Sequence, residues 1–110
     1  MALFLQLQMG GKPEILNAQD LLPFHTPVVN APDVLNWMRS HLKGELKSYY
    51  GLGWRILDQD EKRMVFHGGY LKGFVNFLAF IPYRKIGIII LNNGESSFSA
   101  ETAMMFFDTL

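Results

Sequence analysis

Between residues 49 and 92 the chain is a series of short apolar runs, each cut off by glycine, proline or a cluster of charges, and this punctuation constrains the fold more than any other feature. Tyr50-Gly51-Leu52-Gly53-Trp54 leads to the charged hairpin Asp58-Gln59-Asp60-Glu61-Lys62. Then come His67-Gly68-Gly69, Phe80-Ile81-Pro82 and Ile86-Gly87-Ile88-Ile89-Ile90-Leu91. Short runs rich in β-branched and aromatic residues and bounded by turn formers are strands. The expected strands are 49–57, 63–67, 73–81 and 85–92. A parallel crossover takes about a dozen residues or more, and these connections are shorter, so consecutive strands lie antiparallel in a four-stranded meander.

Helical spacing flanks this region. Residues 1–9 are apolar enough for the end of a buried helix, stopped by Gly10-Gly11-Lys12-Pro13. Asn17 or Ala18 opens a short helix, Gln19 to Leu22, that ends before His25-Thr26-Pro27. Ala31-Pro32-Asp33 starts a third, with Val34, Leu35, Trp37, Met38 and Leu42 recurring on one face as far as Lys43-Gly44. Residues 98–110 form a terminal helix whose Ala103, Met104, Phe106, Phe107 and Leu110 face the sheet, with Ser97 or Ser99 as its cap. The expectation is an α/β chain of the α+β type in one partial domain, 1–110: helical over 1–48, sheet over 49–92, helix over 98–110.

The chain has 110 residues, ten basic and ten acidic side chains that cancel, and no cysteine. Nucleic acids and anionic membranes bind clustered Lys and Arg, and here these are scattered, so no nucleic-acid partner is expected. Without cysteine there are no disulfides, thiolate metal sites or thiol nucleophiles. The N-terminal Met-Ala-Leu-Phe-Leu lacks a basic leader and is soon broken by Gln6, Gln8 and Gly10, which fits neither a signal peptide nor a membrane span.

The order, spacing and types of the residues in 50–93, with the helix, Gly-Gly turn, short helix and His-Thr-Pro exit before them, resemble the C-terminal segment of the class C β-lactamase, penicillin-binding protein and esterase superfamily. In that superfamily a Lys-Thr-Gly or His-x-Gly triplet lines the active site. Gly73-Phe74, Ala79-Phe80-Ile81-Pro82, Gly87 and Asn93 fall where the family has its glycine-phenylalanine pair, strand end, final strand and terminal asparagine. The resemblance implies acyl transfer from an ester, amide or β-lactam to a serine and then to water, with no cofactor and no metal. It makes His67 the residue that binds a substrate carboxylate or tunes the general base. Gly69 lets the acyl group lie against the backbone, and the N–H of Tyr70 helps form the oxyanion hole. Gly68 and Asn93 would contact substrate. Gly68 stands where Ser or Thr is usual, which removes a hydroxyl that holds β-lactam carboxylates and points to an esterase-like or peptidase-like parent.

The nucleophile of the family lies upstream of this segment, so the implied partners are the N-terminal part of a parent domain and, for that parent, a small acyl, peptide or β-lactam substrate. The parent would be periplasmic or secreted. Ser40-His41-Leu42-Lys43 has the literal Ser-x-x-Lys form, but the family's motif begins a buried central helix well before a Tyr-x-Asn element and the triplet, whereas this copy sits just upstream of the triplet near an exposed helix end. No asparagine stands two residues after Tyr49 or Tyr50. The isolated chain is therefore expected to be inactive. The alternative is a stand-alone, non-catalytic module for ligand binding or protein interaction.

Other chemistries fit less well. Gly68 and Gly73 have the outer spacing of a phosphate loop, but Phe74 and Val75 replace its Lys-Ser/Thr. Asp58, Asp60 and Glu61 lack the later glycine and glutamate of a calcium loop. His25, His41 and His67 have no metal-ligand spacing. Finally, Ile86 to Leu91 lacks alternation, the mark of a strand covered on both faces, yet it is the last strand of the meander. Self-association through 86–91 is the expected consequence.

Overall fold

A computed structural model describes residues 1–110. Its centre is one antiparallel sheet whose strands follow chain order: β1 (Val29–Asn30), β2 (Leu46–Tyr50), β3 (Arg55–Gln59), β4 (Lys62–Leu71), β5 (Phe74–Ile81) and β6 (Ile86–Ile90). The meander is as the punctuation predicts, but it has six strands rather than four.

Two local causes account for the difference. The run 49–57 is two strands, because Leu52-Gly53 turns the chain back on itself: Gly53 takes φ +81°, which favours glycine, and the Gly51 N–H donates to the Trp54 carbonyl at 2.8 Å. Leu46 and Ser48 are buried while Lys47 is exposed, a half-covered strand in a segment expected to be helical. Downstream of Pro27, Val29 and Asn30 pair with Tyr50 and Tyr49 and add the short β1.

The third helix is correspondingly cut down. A 3-10 turn, Pro32–Val34, leads into a single α turn, α3 (Leu35–Met38), far short of Gly44. The Ser40 hydroxyl donates to the Trp37 carbonyl at 2.5 Å, a local bond that competes with helix propagation. The flanking helices match expectation better. α1 (Ala2–Gln8) ends before Gly10 at φ +81°. α2 (Ala18–Leu21) starts at Asn17, whose side chain accepts from the Asp20 N–H while Asp20 accepts from the Asn17 N–H, a complete capping box. It continues as a 3-10 turn, Leu22–His25. α4 (Phe98–Asp108) begins after Ser97, but neither expected serine caps it with its side chain: the Ser97 hydroxyl donates to Glu101 Oε1, and Ser99 lies fully buried inside the helix.

The sheet is covered on both faces. On one, α3 and α4 enclose a cluster of twelve buried residues that includes Met38, Leu57, Phe66, Phe77, Ile81, Met104 and Phe107. On the other, α1 seats Leu5 over Trp54, Ile56, Val65, Leu78 and Phe80. Gly87 makes that seating possible: a Cβ there would lie 2.7 Å from Leu5 Cδ2 and 3.0 Å from the Ala79 carbonyl. No helix is long and apolar enough to cross a membrane.

Candidate active-site wall

The His67-Gly68-Gly69 triplet lies inside β4, not at a strand end, and its position follows from the hairpins on either side. Lys72-Gly73 is a two-residue loop with Gly73 at φ +85°, so Leu71 and Phe74 close it as a hydrogen-bonded pair. Counting back along the register, His67 and Gly69 exchange backbone bonds with Leu78 and Asn76. The N–H groups of Gly68 and Tyr70 point the other way, towards β3. But β3 ends at Arg55, opposite Phe66. Residues 67–71 thus overhang the shorter neighbour, and the Tyr70 N–H has no partner on β3.

Side chains complete the arrangement. His67 is exposed; its Nδ1–H donates to the Gly68 carbonyl at 2.5 Å, which leaves Nε2 to accept from the Tyr50 hydroxyl at 3.3 Å. Nothing lies within 4 Å of a Cβ placed on Gly69, so the backbone there is open to a planar group. His67 and Gly68 line two cavities. One, of about 560 Å³, is also bounded by Gly69, Asn76, Trp54, Leu78 and the α1 residues Phe4 and Gln8. The other, of about 520 Å³, lies against Trp37, Met38, Tyr50 and Phe66. The absent side chain at Gly68 helps both cavities reach the same strand.

The Tyr70 ring is anchored separately. Its hydroxyl donates to Glu95 Oε1 at 2.8 Å, and the same oxygen accepts from the Gly73 N–H at 2.9 Å. These bonds hold the Glu95 carboxyl below its ordinary range, with the Gly73 bond the larger cause, and raise the Tyr70 phenol above its own. The tip of the β4–β5 hairpin is thereby tied to the loop between β6 and α4.

Of the residues singled out in the sequence, the fold brings His67, Gly68, Gly69 and the Tyr70 backbone together, while Asn93 is exposed in the loop after β6 and lines neither cavity. The asparagine beside the triplet is Asn76, opposite Gly69 in register, whose Oδ1 accepts from the Asn92 N–H at 2.8 Å. A polar residue interrupting the apolar run Phe74 to Ile81 is the one signal that marks it. Tyr50 was legible only as a strand residue. The Ser40 hydroxyl is engaged with the Trp37 carbonyl and His41 Nδ1, with Lys43 not among its partners. Asp58 is occupied by a two-bond pair with Arg63 at 2.7 and 2.8 Å, as a charged hairpin requires.

A second histidine is buried on the α1 face. His25 Nε2 donates to Gln8 Oε1 at 2.9 Å, and its ring meets Phe80 and Trp54 edge-on. Burial pushes its pKa below the ordinary 6.5, so it stays neutral at pH 7. His25, His41 and His67 lie on separate elements.

Comparison with known proteins adds one finding. No curated protein and no solved structure matches the chain. The family model described as "Beta-lactamase" matches residues 1–105, which takes in the helices before the sheet as well as all six strands. A match across almost the whole length, together with an antiparallel sheet and a terminal helix in the order that the resemblance implies, places this chain in the beta-lactamase family.

Proposed function

We propose that the chain supplies one wall of a serine-hydrolase active site, for acyl-serine hydrolysis of an ester, amide or β-lactam, and that the attacking serine and its base come from polypeptide beyond these 110 residues. The observation that carries this reading is the overhang of β4: the open backbone of Gly68 and Gly69 and the His67 imidazole border a cavity large enough for a small acyl group, and the Tyr70 N–H, without a strand partner, follows directly after them. In such a reaction the serine oxygen attacks the acyl carbonyl, and the negative charge that develops on the carbonyl oxygen is stabilised by N–H donors fixed in advance. The Tyr70 N–H is the donor offered here. His67, with Nδ1–H held by its neighbour's carbonyl, offers Nε2 and the Tyr50 hydroxyl as a pair able to exchange a proton or orient a substrate carboxylate. Gly68 offers no hydroxyl to a β-lactam carboxylate, which favours ester or peptide-like substrates.

The test uses fluorophosphonate and penicillin probes with intact-mass readout. The chain alone is expected to stay unlabelled, and a longer chain that includes the upstream serine segment is expected to react with at least one probe. In that longer chain His67→Ala is expected to slow acylation by roughly tenfold to a thousandfold, the range set by loss of one positioned acid–base or polar group, with little change in melting temperature. Stoichiometric labelling of the 110-residue chain at Ser40 overturns the assignment of the nucleophile. An unreactive longer chain that still binds an acyl amide in the 560 Å³ cavity favours the non-catalytic binding module instead.

A further inference from the structure

The cavity of about 520 Å³ on the Trp37 side of the triplet has a chemistry of its own. Its walls come from α3 and the 3-10 turn before it on one side, and from β2 to β5 on the other. Phe66 and Phe77 are stacked with ring centres 5.5 Å apart, and Val34, Trp37 and Met38 supply the rest of the apolar lining. The charge here is already balanced. The Arg55 guanidinium lies 5.7 Å from the centre of the Tyr50 ring, and both of its terminal nitrogens donate to Asp33, at 3.3 and 3.5 Å. The polar rim is the Tyr50 hydroxyl with His67 Nε2, 3.3 Å apart.

Gly68 is the passage from the first cavity to this one. A Cβ placed on it would sit 3.6 Å from Phe77 Cδ2, so a larger side chain would project along the Phe77 face and fill the way through. Because β3 ends opposite Phe66, that strand does not close the edge between the two cavities. A molecule lying across β4 at Gly68 reaches both.

We propose that this second cavity is the subsite for the leaving portion of the substrate, and that this portion is an uncharged aromatic alcohol or amine. The inference rests on the hydrolase reading above. With the acyl part beside Gly69 in the first cavity, the remainder crosses Gly68 and sets a flat ring against Phe66, Phe77 and Trp37. In the acylation step the bond from the serine oxygen to the acyl carbon forms. The bond from that carbon to the leaving oxygen or nitrogen breaks with its electron pair, and the proton given up by the serine is returned to the leaving atom. Tyr50 lines the second cavity and not the first, so the Tyr50–His67 pair stands on the side where that proton is needed. A carboxylate on the leaving portion is disfavoured, because Asp33 already occupies Arg55 and would lie beside it.

Three amides test the subsite on the chain itself by NMR: N-benzylacetamide, its ring-carboxylate analogue and N-methylacetamide. The benzyl amide is expected to shift the Trp37 indole N–H together with the Gly69 amide, and to bind roughly tenfold or more tightly than either of the others. Gly68→Val, whose β-branched side chain suits a strand, and Trp37→Ala are each expected to weaken it roughly tenfold. Equal binding of the benzyl and methyl amides, tighter binding of the carboxylate, or a benzyl ring that shifts Trp54 instead of Trp37 overturns the proposal. A folded Gly68→Val chain that binds as the unaltered chain does overturns it equally. The comparison of the three amides on the unaltered chain decides the matter even if both variants fail to fold. No acylation enters this measurement, so the two readings fail separately. A longer chain that reacts with the serine probes while the amides show no benzyl preference keeps the hydrolase reading and removes this subsite. A benzyl preference beside an unreactive longer chain removes the hydrolase reading, and the leaving role with it, but not the aromatic subsite.

Discussion

The two faces of the sheet are built differently. The α4 face holds a cluster of twelve buried hydrophobic residues, with Ala79, Ala103, Met104 and Phe107 almost wholly withdrawn from solvent, and its only buried polar side chains are the small hydroxyls of Ser48 and Ser99. The α1 face holds six, and packed against them is a polar pair, Gln8 and His25, beside the cavity that reaches His67. Apolar burial scales with area, so the first face carries most of the folding free energy. The second trades packing for access: its cavity takes in the whole triplet, whereas the cavity against Trp37 and Met38 on the first face reaches only His67 and Gly68.

The largest expected effect tests that division directly. Phe107→Ala empties a closed site on the α4 face and is expected to destabilise the chain by about 3–5 kcal/mol. Leu5→Ala, on the smaller and more open face, is expected to cost nearer 2 kcal/mol. Urea unfolding of both variants checks this; equal losses would erase the distinction between the faces.

A pair of glycines sharpens the comparison at smaller scale. Gly87→Ala forces a methyl against Leu5 and the Ala79 carbonyl, and is expected to cost about 1–3 kcal/mol by pushing α1 off the sheet. Gly69→Ala meets nothing and is expected to change stability by less than about 0.5 kcal/mol. Thermal melts of the two variants read the difference. A large loss at Gly69 would mean that the overhanging part of β4 is packed rather than open.

The smallest expected effect comes from pH. His25 is held neutral by burial, so its pKa in the folded chain is lower than in the unfolded chain. As pH falls below about 6.5 the unfolded state takes up the proton first. The stability due to neutral His25 is thus complete above that value and is lost as pH falls through the lowered folded value. Unfolding curves between about pH 7 and pH 5.5 should show this loss in the wild-type chain and a flatter profile in His25→Gln. Glu95 acts in a more acidic window with the same sign: its bonds to Gly73 and Tyr70 are complete above its ordinary value of 4.5 and are lost as pH falls through its lowered one. If the two variants respond alike near neutrality, His25 is not the group that titrates on the α1 face.

How far the site could be read in advance depended on how local each feature is. The triplet, the Gly73 turn and the antiparallel neighbour were legible, because they lie within one hairpin and turn chemistry fixes the register there. Asn76 and Tyr50 were not. Asn76 reaches Gly69 only because the pairing of β4 with β5 sets them opposite, and Tyr50 reaches His67 only because β3 stops short. The expected long third helix failed for a related reason: Leu42 recurs at helical spacing, but Leu46 and Ser48 gain more by pairing with β3 than by continuing a helix.

The sequence by itself determined the succession of turns and strands, the Asn17 cap, the stop at Gly10 and an Ile86–Leu91 segment without a polar face. Each of these is set by the backbone preferences and periodicity of neighbouring residues. Only the tertiary structure decided that β4 overhangs β3, that Gly87 admits α1, that Asn76 rather than Asn93 stands beside the triplet, and that an apolar strand lies at the edge of the sheet. Those outcomes depend on which distant segments are long enough to pair and which helices are close enough to cover them, and no local pattern in the chain encodes either.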